Sequence, residues 1–72
     1  MNDTMTIEEL KVRVKRLNSE AGQLKMDLHD LAEDLPKGWE TIMEVAQKTH
    51  QKYVDLMSAR QQLTEMEKQA NG

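Results

Sequence analysis

Apolar residues recur along the first half of the chain in alternating steps of three and four residues. This spacing gives a helix one apolar stripe and is typical of helices that pack along their length at a shallow crossing angle. We call this stripe the first seam. Its members are Ile7, Leu10, Val14, Leu17, Ala21, Leu24, Leu28, Leu31 and Leu35. The pattern predicts a first helix over about 7–34.

Local signals mark the start of this helix. Thr6 and Glu9 have the spacing of a capping box, in which each side chain accepts a hydrogen bond from the other residue's backbone N–H. Met5 and Leu10 have the spacing of a hydrophobic staple across a helix start. We therefore expect the first helix to begin near Ile7.

A bend interrupts the helical pattern at the segment LPKGW. Pro36 disfavours helical geometry at the residue before it and has no backbone N–H to donate. Gly38 adds backbone freedom two residues later, and Trp39 then begins the next helix. These features predict a bend over 35–38.

A second apolar stripe follows the bend with the same spacing. The members of this second seam are Ile42, Val45, Thr49, Lys52, Leu56, Ala59, Leu63, Met66 and Ala70. They predict a second helix over about 39–70. Because a short bend makes neighbouring helices antiparallel, we predict an all-α, two-helix hairpin that forms a single domain over 1–72. Counting outward from the bend pairs Leu24 with Thr49, Leu28 with Val45 and Leu31 with Ile42.

Composition changes this picture by pointing to a second copy of the chain. The chain has 72 residues, of which 38% are hydrophobic and none is cysteine. A domain of this size buries little surface and commonly needs a disulfide, a metal or a partner subunit. Since disulfides are excluded, we expect the hairpin to dimerise into a four-helix bundle.

Charge suggests how two hairpins would meet. Acidic residues crowd the bend end, where Lys37 is the one base among them: Asp27, Asp30, Glu33, Asp34, Glu40 and Glu44. A basic group lies toward the open end: Lys11, Arg13, Lys15 and Arg16. An antiparallel dimer would place the basic segment of one subunit beside the acidic bend of the other. We therefore favour the antiparallel orientation.

A resemblance to a known family rests on the segment KMDLHDLAEDLPKGWE and the EVAQKTHQKY that follows it. These residues resemble a family of small Rop-like proteins encoded in nitrogen-fixation gene clusters, over about Leu10 to Leu63. The resemblance implies a hairpin that dimerises into a rod and serves nitrogenase assembly or its regulation, with no established activity. It also implies metal binding in some relatives.

Metal binding can be judged from the two histidines. His29 and Glu33 are four residues apart and share a helix face, so they could hold a divalent transition metal, with Asp30 close by. The alternative, which is more frequent, is a solvated pair of side chains. His50 lies ~20 Å along the axis from the bend, too far to join His29, although it could meet its symmetry mate in an antiparallel dimer.

A di-iron site and a serine nucleophile activated by histidine both have little support in this sequence. Di-iron bundles place Glu three residues before His, whereas this chain has Met26 and Gln47 there. Ser19 and Ser58 are the only serines, and neither lies at helical spacing from a histidine. We therefore expect no catalytic residues and no enzyme activity.

RNA binding is also disfavoured, because the net charge is −3 and the first helix has no aromatic residue on which bases could stack. A flank of the second helix favours protein binding instead. It consists of Met43, His50, Val54 and Met57, and methionine suits adaptable binding surfaces. The alternative is that this flank completes the dimer core.

The sequence thus predicts a non-enzymatic accessory or regulatory protein of nitrogen fixation that acts through protein–protein contacts, with nitrogenase or a nitrogenase-assembly protein as its partner. A small metal-binding or metal-delivery protein is the alternative, and an RNA-binding regulator is third. No apolar run reaches the ~20 residues that cross a bilayer, and the N-terminus does not resemble a signal peptide. We expect a cytoplasmic protein.

Overall fold

Two long helices run side by side in opposite directions in the computed structural model, which describes residues 6–71. Helix α1 spans Ile7–Asp34 and helix α2 spans Ile42–Asn71. They form a rod with extents of 52 × 24 × 15 Å. The predicted all-α hairpin is therefore confirmed. In the described part of the chain, neither helix has an apolar stretch that could cross a membrane.

The start of α1 is closed by the predicted capping box. The Glu9 backbone N–H donates to Thr6 Oγ1 at 3.1 Å, and the Thr6 backbone N–H donates to Glu9 Oε1 at 2.9 Å. Each bond satisfies a donor that a helix start leaves without a partner. The proposed staple between Met5 and Leu10 involves Met5, which lies outside the described residues.

Backbone hydrogen bonds hold the bend between the helices. The Asp34 carbonyl accepts from the Lys37 N–H at 3.0 Å, and the Pro36 carbonyl accepts from the Trp39 N–H at 3.2 Å. Gly38 has a φ of 81°, the left-handed region that glycine adopts without steric cost. The chain then makes one 3-10 turn over Trp39–Thr41. The second α-helix therefore begins three residues later than expected, at Ile42.

The most deeply buried residues come from the middle of the hairpin and its open half. The buried apolar residues are Leu10, Leu17, Ala21, Leu56 and Ala59. Half-buried side chains that pack against them are Val14, Tyr53, Leu63 and Met66. All but Tyr53 belong to the two predicted seams, so the alternating spacing located the helix interface.

The predicted seams are wrong at their last members, Leu35 in the first seam and Ala70 in the second, because both residues are exposed. Leu35 is 41% exposed because it is the C-cap of α1, with a ψ of 144° that turns the chain away from the helix. Ala70 is also exposed. Lys11 pairs with Glu67 at 4.0 Å, so Ala70 lies level with the very start of α1 and has little to pack against.

The register between the helices agrees with one pair that counting from the bend predicts. Thr49 is 8% exposed. Its hydroxyl donates to the Val45 carbonyl at 2.8 Å and lies 3.5 Å from the Leu24 carbonyl on the other helix. A buried hydroxyl is thereby satisfied, and Leu24 and Thr49 are neighbours as expected.

Candidate functional site

His29 stands on the outside of α1, two turns before the bend. Its Nε2 lies 3.7 Å from Glu33 Oε2 and its Nδ1 lies 3.8 Å from Asp30 Oδ1, with 66% of the histidine side chain exposed. The structure thus brings His29 and Glu33 together on one helix face, as their spacing predicts. The side chains of His29, Asp30 and Glu33 are all exposed to solvent, and both distances exceed those of a hydrogen bond.

His50 does not join this group. Because Thr49 pairs with Leu24 across the hairpin, His50 is level with a point about 9 Å along the axis from His29. Within residues 6–71 no three His, Asp or Glu side chains are arranged so that they could hold a metal ion. One hairpin therefore offers two isolated histidine positions, and each would need a ligand from elsewhere to complete a metal site.

The predicted flank of α2 is open to solvent in the single hairpin. Met43 is 79% exposed, Met57 is 53% exposed and Val54 is 46% exposed, and His50 is exposed beside them. Tyr53 and Ala46 lie at the inner border of this flank and are half-buried. The hairpin therefore carries exposed apolar side chains on α2 outside its own core.

The next stripe of α2 has the opposite character. Steps of three, four and seven residues bring polar residues into line: Glu44, Lys48, Gln51, Asp55 and Gln62. Gln51 donates from Nε2 to Asp55 Oδ1 at 3.1 Å, as neighbours one turn apart do. Since one stripe is apolar and the other polar, α2 presents one side suited to a protein contact and one suited to water.

A basic groove lies near the open end of the hairpin. The sequence indicated the basic residues that α1 contributes to it but not the one from α2. Lys11 and Lys15 of α1 line it together with Arg60 of α2, around Val14 and Leu63. Arg60 is far from the basic segment in sequence, and only the pairing of the helices brings it there. No aromatic residue lines this groove, so stacking on nucleic-acid bases has no platform there.

Trp39 is one of the predicted bend residues, and the structure leaves most of its side chain open to solvent. It is 63% exposed. The bend is held instead by backbone contacts and by Thr41, whose hydroxyl donates to the Gly38 carbonyl at 2.9 Å. Exposure of a side chain could not be deduced from the sequence, because it depends on how the 3-10 turn is rotated relative to the two helices.

Known proteins resemble this hairpin closely. The model of the Rop-like family matches residues 5–68. The chain belongs to the Rop-like family. The resemblance that we drew from the segment around the bend is thereby confirmed. A solved NMR structure has the same fold, with a TM-score of 0.80 and 53% identity over 89% of this chain and 90% of the other.

Relatives of this family member occur in several bacteria. A UPF0437 protein of Nostoc sp. is 50% identical over 62 residues, which cover 86% of this chain and 87% of the relative. A UPF0437 protein of Azorhizobium caulinodans is 48% identical over 85% of this chain and 88% of the relative. A relative from Frankia alni is described as lying in the nifX-nifW intergenic region, and is 52% identical over 61% of this chain and 54% of the relative.

Proposed function

We propose that this Rop-like chain is a non-enzymatic accessory or regulatory protein of nitrogen fixation that acts in the cytoplasm by binding another protein. The observation that carries the proposal is the exposed flank of α2, where the side chains of Met43, Val54 and Met57 are open to solvent. The Frankia relative in the nifX-nifW region supports nitrogen fixation as the setting. Nitrogenase or a nitrogenase-assembly protein is the proposed partner.

The same proposal includes a homodimer. Among residues 6–71, five apolar residues form the buried core of one hairpin, which is little for independent stability. A second copy that covered Ala46, Tyr53 and Met57 would extend that core into a four-helix bundle. The flank of Met43 and Val54, which lies farther from the core, would then remain available to the other protein.

The cellular role is tested by deleting the gene in the nitrogen-fixing organism that encodes it. We expect slower growth and lower nitrogenase activity with N₂ as the nitrogen source, normal growth on ammonium, and full recovery when the gene is returned. Equal growth of the deletion strain and the parent on N₂ would contradict the proposal.

The binding surface is tested by photo-crosslinking in the same cells. A photoreactive amino acid at position Val54 should trap a nitrogenase or nitrogenase-assembly protein. The same amino acid at Gln51, one turn earlier on the polar stripe, should not. If both positions trap the same proteins, or if neither does, the flank of α2 is not the contact surface.

Metal binding or delivery is the second candidate, and the arrangement around His29 favours it. An imidazole with two carboxylates within 4 Å resembles part of a site for a divalent transition metal. Amide NMR of the purified protein, titrated in turn with Fe(II), Ni(II) and Zn(II), would show saturable shifts at His29 and Glu33. His29→Ala should abolish them and His50→Ala should not. No shift at stoichiometric metal would rule this site out.

A further inference from the structure

We infer that the bend end of the hairpin is a docking surface for a basic segment of a partner protein, with Trp39 as its central contact. We call this the tip surface. It consists of three exposed apolar residues and their acidic neighbours: Leu35, Trp39, Met43, Asp34, Glu40 and Glu44. The inference rests on the proposed function for the existence of a partner and adds where that partner binds and its chemistry.

Three of the seven exposed large apolar side chains among the described residues lie at this end of the rod. Trp39 is 63% exposed, Met43 is 79% exposed and Leu35 is 41% exposed. Trp39 and Met43 are four residues apart, on either side of the junction between the 3-10 turn and α2. Tryptophan is enriched among the residues that contribute most to protein interfaces, and neither the core nor the bend requires this one.

The charge around these residues specifies the kind of partner. The stretch 30–44 contains five acidic residues and one lysine, so its negative charge exceeds the net charge of −3 of the whole chain. An acidic rim attracts a basic partner and steers its approach. Arginine or lysine could place its charge over the indole of Trp39 as a cation–π contact, and its aliphatic stem could cover Met43.

The backbone under Trp39 is held in place before any partner arrives. The Trp39 N–H donates to the Pro36 carbonyl at 3.2 Å. The Gly38 carbonyl accepts from both the Thr41 N–H at 3.0 Å and the Thr41 hydroxyl at 2.9 Å. A contact residue on an ordered turn loses less conformational freedom on binding than one on a mobile loop.

Another protein is the proposed source of the basic segment, because two of this chain's own lysines already pair with acids of the same chain. Lys11 lies 4.0 Å from Glu67 of its own chain, and Lys52 lies 3.1 Å from Glu20. The chain's net charge of −3 attracts a basic protein at long range. A second copy is the competing outcome in the test, because an antiparallel dimer would place its basic segment beside this bend.

The test uses the full chain and a fluorescein-labelled peptide of repeated Arg-Leu-Gly units, with Glu-Leu-Gly repeats as the control peptide. Binding is followed by peptide anisotropy and by the emission of Trp39, the only tryptophan. We expect saturable binding of the arginine peptide alone, a blue shift of the emission, and weaker binding at higher salt. Trp39→Ala should weaken binding at least about tenfold, and Glu40→Gln with Glu44→Gln should weaken it several-fold.

Val12→Ala is the matched control variant, because Val12 is 66% exposed and lies at the basic end of the rod. It should bind the peptide as the parent does, and circular dichroism should show that every variant keeps its helices. Equal binding by Trp39→Ala, or equal loss in Val12→Ala, would overturn the inference. So would an emission of Trp39 that shifts with the protein's own concentration, since a second copy would then cover it.

Failure of this inference and failure of the proposed function can be told apart. If the deletion strain is impaired on N₂ but the Trp39→Ala gene restores it as fully as the Val12→Ala gene, the proposed function stands and the tip surface does not. If the deletion strain is unimpaired, the proposed function is wrong, and the peptide titration still decides whether the tip surface binds basic segments.

Discussion

Lys52 Nζ lies 3.1 Å from Glu20 Oε1 and joins the two helices near the middle of the hairpin. Lys52 is a member of the second seam, where an apolar residue would be expected. Its stem is half-buried while its charged end reaches outward to a carboxylate. A lysine can therefore occupy the helix interface because the hairpin is narrow enough for its amine to reach water.

Replacing Lys52 should lower the free energy of unfolding only slightly. The side chains of Lys52 and Glu20 are 29% and 47% exposed, and partly exposed pairs of this kind contribute about 0–1 kcal/mol. Lys52→Met keeps the stem and removes the charge, so urea unfolding should give a free energy within about 1 kcal/mol of the parent. Lys48→Met on the polar stripe is the control. A loss above about 2 kcal/mol would show that the pair is shielded from water.

Two glycines should respond in opposite ways to alanine. Gly38 has a φ of 81°, and a Cβ there would lie 3.0 Å from Leu31 Cδ1, whereas nothing lies within 4 Å of a Cβ at Gly22. Gly38→Ala should lower the free energy of unfolding by about 1–2 kcal/mol because of the left-handed backbone. Gly22→Ala in the middle of α1 should raise it by about 0.5–1 kcal/mol. Thermal unfolding by circular dichroism compares them, and a stabilising Gly38→Ala would contradict the bend geometry.

Removing the capping box at the start of α1 should lower the free energy of unfolding. Thr6 Oγ1 accepts from the Glu9 N–H at 3.1 Å, so Thr6→Ala leaves that donor without a protein partner. We expect a loss of about 1 kcal/mol in urea unfolding. Thr64→Ala is the matched control, because Thr64 is exposed inside α2 and alanine is the better helix former there. Equal losses for both threonines would show that the box contributes nothing.

Local sequence signals predicted the parts of the fold that depend on neighbours along the chain. The capping box of Thr6 and Glu9 and the pairing of Leu24 with Thr49 follow from spacing alone. The exposure of Trp39 and the place of Arg60 in the basic groove do not, because both depend on how the helices are rotated about their axes. Leu35 shows that spacing alone does not ensure burial. It has the spacing of a seam member, but the helix ends there and its side chain is exposed.

Two neighbouring residues of α2 separate the core of one hairpin from the proposed dimer contact. Leu56 is 1% exposed and Met57 is 53% exposed. Leu56→Ala should lower the free energy of unfolding by about 2–5 kcal/mol because it leaves a cavity in the core. Met57→Ala should change it by less than about 1 kcal/mol in dilute samples, but should weaken self-association in sedimentation equilibrium. If Met57→Ala associates as the parent does, then Met57 lies outside the contact between copies.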